Sequence, residues 1–233
     1  MSNHEAAIVL RARGLEKSYD DGERVIQVLR GLDLDLMSGQ GVAIIGPSGV
    51  GKSTLLHLLG LLDPPDAGTV SVEGRNAGEL PPREQAALRN RAIGFVFQFH
   101  YLLGDFDALD NVMMPLLIRG LARSTARKRA AVVLERVGLG DRSSHRPGEL
   151  SGGEQQRVAV ARALVTEPQV ILADEPSGNL DPDSAKQIHE LLREVQCEQG
   201  CALAVATHNA SLAGMMDKVC RLDGGVLMEA GGL

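Results

Sequence analysis

The sequence predicts an α/β fold: a mainly parallel sheet flanked by helices, with an antiparallel β layer and an inserted helical subdomain. Three observations carry this. Val42-Ala43-Ile44-Ile45, a short β-branched run, leads through Gly46-Pro47-Ser48-Gly49-Val50-Gly51-Lys52-Ser53-Thr54 into Leu55, Leu56, Leu58 and Leu59 at helical spacing. Val170 to Ala173 is a second apolar run, ending in Asp174-Glu175. Between and beyond them, strand-like runs alternate with helix-like periods, the pattern of parallel βαβ units.

The elements follow in order. Ile8 to Leu36 alternates in short pieces broken at Asp20-Asp21-Gly22, which reads as an antiparallel layer with a hairpin turn. The helix after the glycine-rich loop runs out near Gly60 to Asp63, and Pro64-Pro65-Asp66-Ala67-Gly68 turns the chain. Thr69 to Val72 is a strand, and Pro81-Pro82 opens a helix to about Arg91, with proline in the first turn where its missing N–H costs nothing. Ile93 to Phe97 is a buried strand. From Gln98 the character changes to helices and loops, with helices over Asp110 to Ile118 and Ser124 to Val137. Glu154 to Leu164 and Asp183 to Gln199 are helices, Ala202 to Ala206 a strand and Asn209 to Met216 a short helix. Val219 to Leu222 and Val226 to Met228 form a closing hairpin. The expected division is 1–97 and 165–233 for the β layer and core, and 98–164 for the helical subdomain.

Composition limits the function. The 233 residues carry a net charge of −6, which argues against bulk nucleic-acid binding, and no nucleic-acid partner is expected. No apolar run approaches the roughly 18 to 20 residues that span a bilayer. Met1 to Ala7 has no basic stretch followed by an apolar one, so no secretory signal is read there. Cys197, Cys201 and Cys220 are read as small buried hydrophobes in a reducing compartment; Gly200 keeps the first two off one helical face.

The chemistry begins at Gly46 to Thr54, which fits the phosphate-binding pattern of Gly, four free positions, then Gly-Lys-Ser/Thr. Glycines let the backbone curl so that N–H groups point at phosphate oxygens, and the helix start adds its partial positive charge. Lys52 reaches the outer phosphates and Ser53 can ligate Mg2+. Asp174, at the end of its apolar strand, is placed to organise that ion, and Glu175, on the opposite side of the strand, to act on the attacking water. In Leu150-Ser151-Gly152-Gly153-Glu154-Gln155-Gln156-Arg157 a serine and two glycines open a helix, a second anion site. One chain then has two phosphate-binding helix starts. The second makes sense if it closes on the nucleotide of another copy, which predicts a head-to-tail homodimer with ATP between the subunits.

Leu-Ser-Gly-Gly-Glu-Gln-Gln at 150–156 resembles the signature motif of ABC-type ATPases, and the other motifs stand in that family's order and spacing. The resemblance implies a RecA-like core and several roles. Tyr19 would stack on adenine, and Gln98 would touch Mg2+ and the attacking water. Ser177-Gly178-Asn179-Leu180-Asp181 would be the D-loop that crosses the dimer interface, and His208 the switch histidine at the γ-phosphate. Ser151, Gly152, Gly153 and Glu154 would complete the site from the opposite chain. Asn209 stands where an Asp is usual and Ser177 where a Thr is usual; Pro47 fills a variable position.

Within the family, Gln98 to Leu103, Asp110 to Ile118, His57 to Asp63 and His145-Arg146-Pro147 resemble the ATPase of bacterial lipoprotein-releasing transporters. Macrolide-efflux and division-associated ATPases share the general pattern and are the alternatives. A soluble ABC-type ATPase or a P-loop kinase or GTPase stands behind them. The resemblance implies a peripheral subunit on the cytoplasmic face of the bacterial inner membrane. Phe99, His100, Tyr101, Leu102 and Leu103 are the expected docking edge for integral membrane partners.

Overall fold

The computed structural model describes residues 7–20, 22 and 24–230. Asp21 of the expected hairpin turn lies outside the described residues, as do Met1 to Ala6, on which the reading of the N-terminus rests. Strands β1 (Ile8–Asp20) and β2 (Val25–Met37) pair antiparallel and join β4 (Ala67–Val72) and β5 (Arg75–Asn76) in a four-stranded sheet of order β2-β1-β4-β5. Alternation drives this layer: Leu32, Leu34 and Leu36 turn inward while Asp33 and Asp35 face out, and Asp35 pairs with Arg13 at 2.6 Å.

The second sheet has order β10-β9-β3-β8-β7-β6. Here β3 is Gly41–Ile45, β6 Ile93–Val96, β7 Val170–Asp174, β8 Ala202–Ala206, β9 Lys218–Asp223 and β10 Val226–Glu229. All pairings are parallel except β9 with β10. The central strands are covered on both faces, which is why they read as unbroken apolar runs rather than alternating ones. Parallel pairing also gathers the strand C-termini along one edge, so the loops leaving β3, β6, β7 and β8 meet there.

Helices α1 (Lys52–Leu59), α2 (Pro82–Ala92), α5 (Gly152–Leu164) and α6 (Pro182–Gln199) surround the sheets. Leu55, Leu56, Leu58 and Leu59 of α1 are buried between the two layers, each contributing about 1.5–3 kcal/mol of apolar burial. Helices α3 (Ala108–Ile118) and α4 (Arg123–Arg136) pack on α5 around Val112, Met113, Leu116, Ala130, Leu134 and Val158, a core of their own that reaches the rest through α5. Short α7 (Ala210–Gly214) follows β8.

One cysteine departs from the sequence reading: Cys201 and Cys220 are buried, but Cys197 is exposed. It lies half a helical turn away from the buried stripe of Ile188, Leu192 and Val195 on α6.

The end of α1 is tightly fitted. The Gly60 N–H bonds the Leu56 carbonyl at 2.8 Å, and a Cβ at Gly60 would stand 1.9 Å from Cζ of Phe95, whose ring is stacked on Phe97. Gly60→Ala is expected to cost about 1–3 kcal/mol by overpacking. At about 2–4 °C per kcal/mol, a thermal melt detects this, and an unchanged Tm would show that the rings yield freely.

Candidate functional site

The loop between β3 and α1 is shaped by close packing as well as by its glycines' freedom to turn. A Cβ on Gly46 would lie 2.5 Å from the Leu222 carbonyl oxygen of β9, and one on Gly51, at φ 109°, would lie 2.5 Å from Cγ1 of Val28 on β2. Only glycine lets this loop seat against both sheets. Ser48, Gly49 and Val50 form its crown, and Lys52 opens α1. The Lys52 ammonium is nearly buried and donates to the Gly46 and Pro47 carbonyls at 2.9 and 3.1 Å, so its charge is held over the crown. Ser53 and Thr54 follow in the first turn. Together they form a concave set of N–H donors with a fixed cation, suited to a polyphosphate.

The end of β7 lies alongside. Oδ1 of Asp174 is buried with no hydrogen-bond partner. Burial pushes the Asp174 carboxyl above the ordinary carboxylate range, while the Ser53 hydroxyl and the Lys52 charge pull it down. An orphaned carboxylate oxygen beside a serine hydroxyl at a phosphate loop is the donor chemistry a hard divalent cation needs, and such a cation would restore the charged form. The residues present therefore fit Mg2+.

Glu175 is aimed by more than strand alternation. It lies past the end of β7 with φ 44°, a left-handed backbone uncommon for a glutamate. Its N–H bonds the Ala206 carbonyl at 2.9 Å, and its carboxylate accepts from Thr207 Oγ1 at 3.2 Å and lies 2.8 Å from His208 Nδ1. Asn209, which stands where an Asp is usual, caps α7 through Leu212 N–H and donates its own N–H to Thr207 Oγ1 at 3.0 Å. His208 is thus steered by Glu175 and by the Thr207 turn.

Gln98 leaves β6 at the same edge. Its Nε2 donates to Asn179 Oδ1 at 3.1 Å, and Asn179 Nδ2 donates to the Gln98 carbonyl at 3.3 Å, a reciprocal pair between the expected Q-loop and D-loop. Gln156, fully buried on α5, is read from the sequence as part of the signature stretch but given no role of its own. Its Nε2 donates to the Phe97 carbonyl at 3.2 Å and the Pro176 carbonyl at 2.6 Å, and its Oε1 meets His100 Nδ1. One amide therefore ties the start of α5 to the approaches of both loops.

The signature stretch opens α5. Ser151 and Glu154 form a reciprocal capping box: Ser151 N–H donates to Glu154 at 2.8 Å, and Glu154 N–H to Ser151 Oγ at 3.3 Å. The Ser151 N–H holds the Glu154 carboxyl below its usual range. Gly152 and Gly153 lie against Leu180 and Ser184, and Asp181 caps α6 by accepting from Asp183 and Ser184 N–H groups. Tyr19 lies at the end of β1, exposed, with its hydroxyl donating to Asp63 at 3.1 Å and the Lys17 ammonium 5.4 Å from its ring centroid.

A groove of about 360 Å³ opens between α2, α3, β6 and α5, lined by Arg89, Asn90, Phe95, Phe97, Ile118 and Arg162 among others. Arg162 donates to the carbonyls of His100 and Tyr101, both at 2.7 Å, so the aromatic run borders the groove. Phe99 is 61% exposed, Tyr101 66% and Ile118 71%, an apolar rim unusual on a polar surface.

The sequence profile of the ABC transporter family matches residues 29–178. The chain belongs to the ABC transporter family. As a member of that family it is an ATPase. It is 53% identical over 222 residues, 95% of this chain and 98% of the relative, to "Lipoprotein-releasing system ATP-binding protein LolD" of Pseudomonas syringae pv. tomato. It is 54% identical, over 95% and 99%, to the protein of the same name in Myxococcus xanthus. Among solved structures, a dimeric post-hydrolysis state of the ATP-binding cassette MJ0796, bound to ADP and Pi, matches with a TM-score of 0.87 at 35% identity, covering 96% of this chain and all of that one. The α/β architecture read from the sequence is therefore that of an ABC cassette with its RecA-like core.

Proposed function

We propose that this chain is the ATP-hydrolysing subunit of a bacterial inner-membrane transporter that releases lipoproteins toward the outer membrane. It would work as a homodimer with ATP at the interface, on the cytoplasmic face. The observation that carries the lipoprotein reading is identity of 53% across 95% of the chain to an ATPase of that name. The dimeric cassettes among its structural neighbours support the assembly.

In this reading Lys52 and the Gly46 to Thr54 backbone hold the phosphates, and Tyr19 stacks on the adenine. Ser53, Gln98 and Asp174 would hold Mg2+, which supplies charge neutralisation for the phosphates. Glu175 orients the attacking water and accepts its proton, and its place beside His208 supports that role. His208 stabilises the γ-phosphate. Ser151, Gly152, Gly153 and Glu154 come from the second copy, and Asp181 stands at the start of α6 where the D-loop meets it.

No helix among the described residues is long and apolar enough to cross a membrane, so the reading requires a membrane-embedded partner. The groove lined by Phe97 and Ile118, with exposed Tyr101 edge-on to Phe97 and Phe99 beside it, supplies the apolar pocket such a partner's cytoplasmic segment would fill. Phe99→Ala with Tyr101→Ala is expected to reduce co-purification with solubilised membrane subunits at least tenfold while nucleotide affinity stays within twofold. Undiminished co-purification would move docking elsewhere. The companion test is to purify a tagged copy from solubilised membranes. A partner with few membrane helices, a large domain on the far side and bound lipoprotein supports the cargo; a partner with many helices and no such domain overturns it.

A further inference from the structure

His189 lies on the buried stripe of α6 with Ile188, Leu192 and Val195, and only 4% of it is exposed. An apolar side chain would fill that place without loss. A histidine there must give up water, and the cost is offset only by a hydrogen bond. That bond is formed: Nε2 of His189 and Oγ of Ser177 are 2.7 Å apart. Burial pushes the imidazole below its ordinary pKa and Glu190 pulls it back up, so the ring is neutral at physiological pH, with one nitrogen to donate and one to accept.

Ser177 lies within the turn that follows Glu175. Around it, the Pro176 carbonyl is held by Gln156, Gly178 N–H bonds the Glu175 carbonyl at 3.0 Å, and Leu180 N–H bonds the Ser177 carbonyl at 3.2 Å. Beyond it, exposed Asn179 makes the reciprocal amide pair with Gln98. Residues 175–180 have no helix or strand to fix them. Past Glu175, the half-buried Ser177 hydroxyl anchors this segment to buried His189.

We propose that His189 is a positioning residue for ATP hydrolysis: it pins Ser177, and through it sets where the D-loop presents Asn179 to Gln98 and to the second copy of the chain. The proposal rests on the reading of the chain as an ATP-dependent dimer. His189 touches neither nucleotide nor water; it acts through the loop. Losing the pin leaves Lys52 and the phosphate loop intact, so ATP binds as before, but the loop samples other positions and fewer closed dimers are competent.

The test compares His189→Phe, His189→Gln, Ser177→Ala and the double variant His189→Phe with Ser177→Ala, each in the complex with its membrane partner. His189→Phe and Ser177→Ala are each expected to lower kcat about 5- to 10-fold, the effect of one buried hydrogen bond, with KM for ATP within twofold. The double variant should be no slower than the slower single, because both remove the same bond. His189→Gln, which can still reach the hydroxyl, should recover at least half of the lost rate. A wild-type kcat in Ser177→Ala, multiplying losses in the double variant, or a KM that rises in step with the fall in kcat overturns the proposal. If His189→Phe does not fold, Ser177→Ala and His189→Gln still decide it. A wild-type complex that does not hydrolyse ATP at all overturns the underlying reading instead.

Discussion

Glu175→Gln is expected to slow ATP hydrolysis by about 10²- to 10⁴-fold while leaving ATP binding within twofold of wild type. The argument starts from what the substitution keeps. The amide has the shape of the carboxylate; its oxygen can still accept from Thr207 Oγ1 and its nitrogen can donate to His208 Nδ1, so the left-handed turn after β7 and the placement of the switch histidine should persist. The groups expected to bind phosphate, Lys52 and the loop N–H groups, are untouched. What disappears is the negative charge and the basic oxygen that can take a proton from water. Binding and closure then proceed without the step that reopens the dimer. Gel filtration with ATP should give a dimer-sized species that ADP does not, and a rate assay should give the slow turnover. A variant that turns over at full speed would remove Glu175 from the reaction and leave its strained backbone without a functional account.

Much of this arrangement was legible in the sequence, for local reasons. Apolar runs bounded by glycine and proline located the strands, and Gly46 to Thr54 and Asp174-Glu175 marked two strand ends that carry polar chemistry. Strand order was not legible. That β3 lies between β8 and β9, with β6 at the edge, depends on pairing between residues far apart in the chain, such as Ile44 with Ala206 and with Cys220. The supporting polar residues escaped for a related reason. Gln156 and His189 sit in otherwise helical stretches, and their partners are carbonyls and a hydroxyl on distant loops. Nothing in the spacing of α5 or α6 names those partners. A signal was nonetheless available: a polar side chain on the buried stripe of a helix must find a partner. His189 falls directly on the stripe set by Ile188 and Leu192. The same periodicity would have placed Cys197 off that stripe, where the structure has it.

Ser151→Arg is expected to reduce hydrolysis at least about 100-fold while the monomer still folds and binds ATP, and the contrast with Ser151→Ala makes it informative. Within one chain Ser151 caps α5. Either substitution removes that Oγ acceptor at a cost of about 1 kcal/mol, and both keep the backbone N–H that donates to Glu154. A purely structural role predicts similar small losses of stability and little change in rate for both. If the start of α5 instead closes on the γ-phosphate bound by a second copy, the two diverge. Alanine loses one polar contact to the phosphate. Arginine drives a long cation into the space the second copy's phosphates would occupy, and it prevents closure. Combined with Glu175→Gln, Ser151→Arg should abolish the ATP-dependent dimer, whereas Ser151→Ala should only weaken it. A P-loop kinase or GTPase working as a single chain has no reason to respond this way. Equal, near-wild-type rates in both variants would therefore take the signature stretch out of the nucleotide site and leave its helix cap as its whole function.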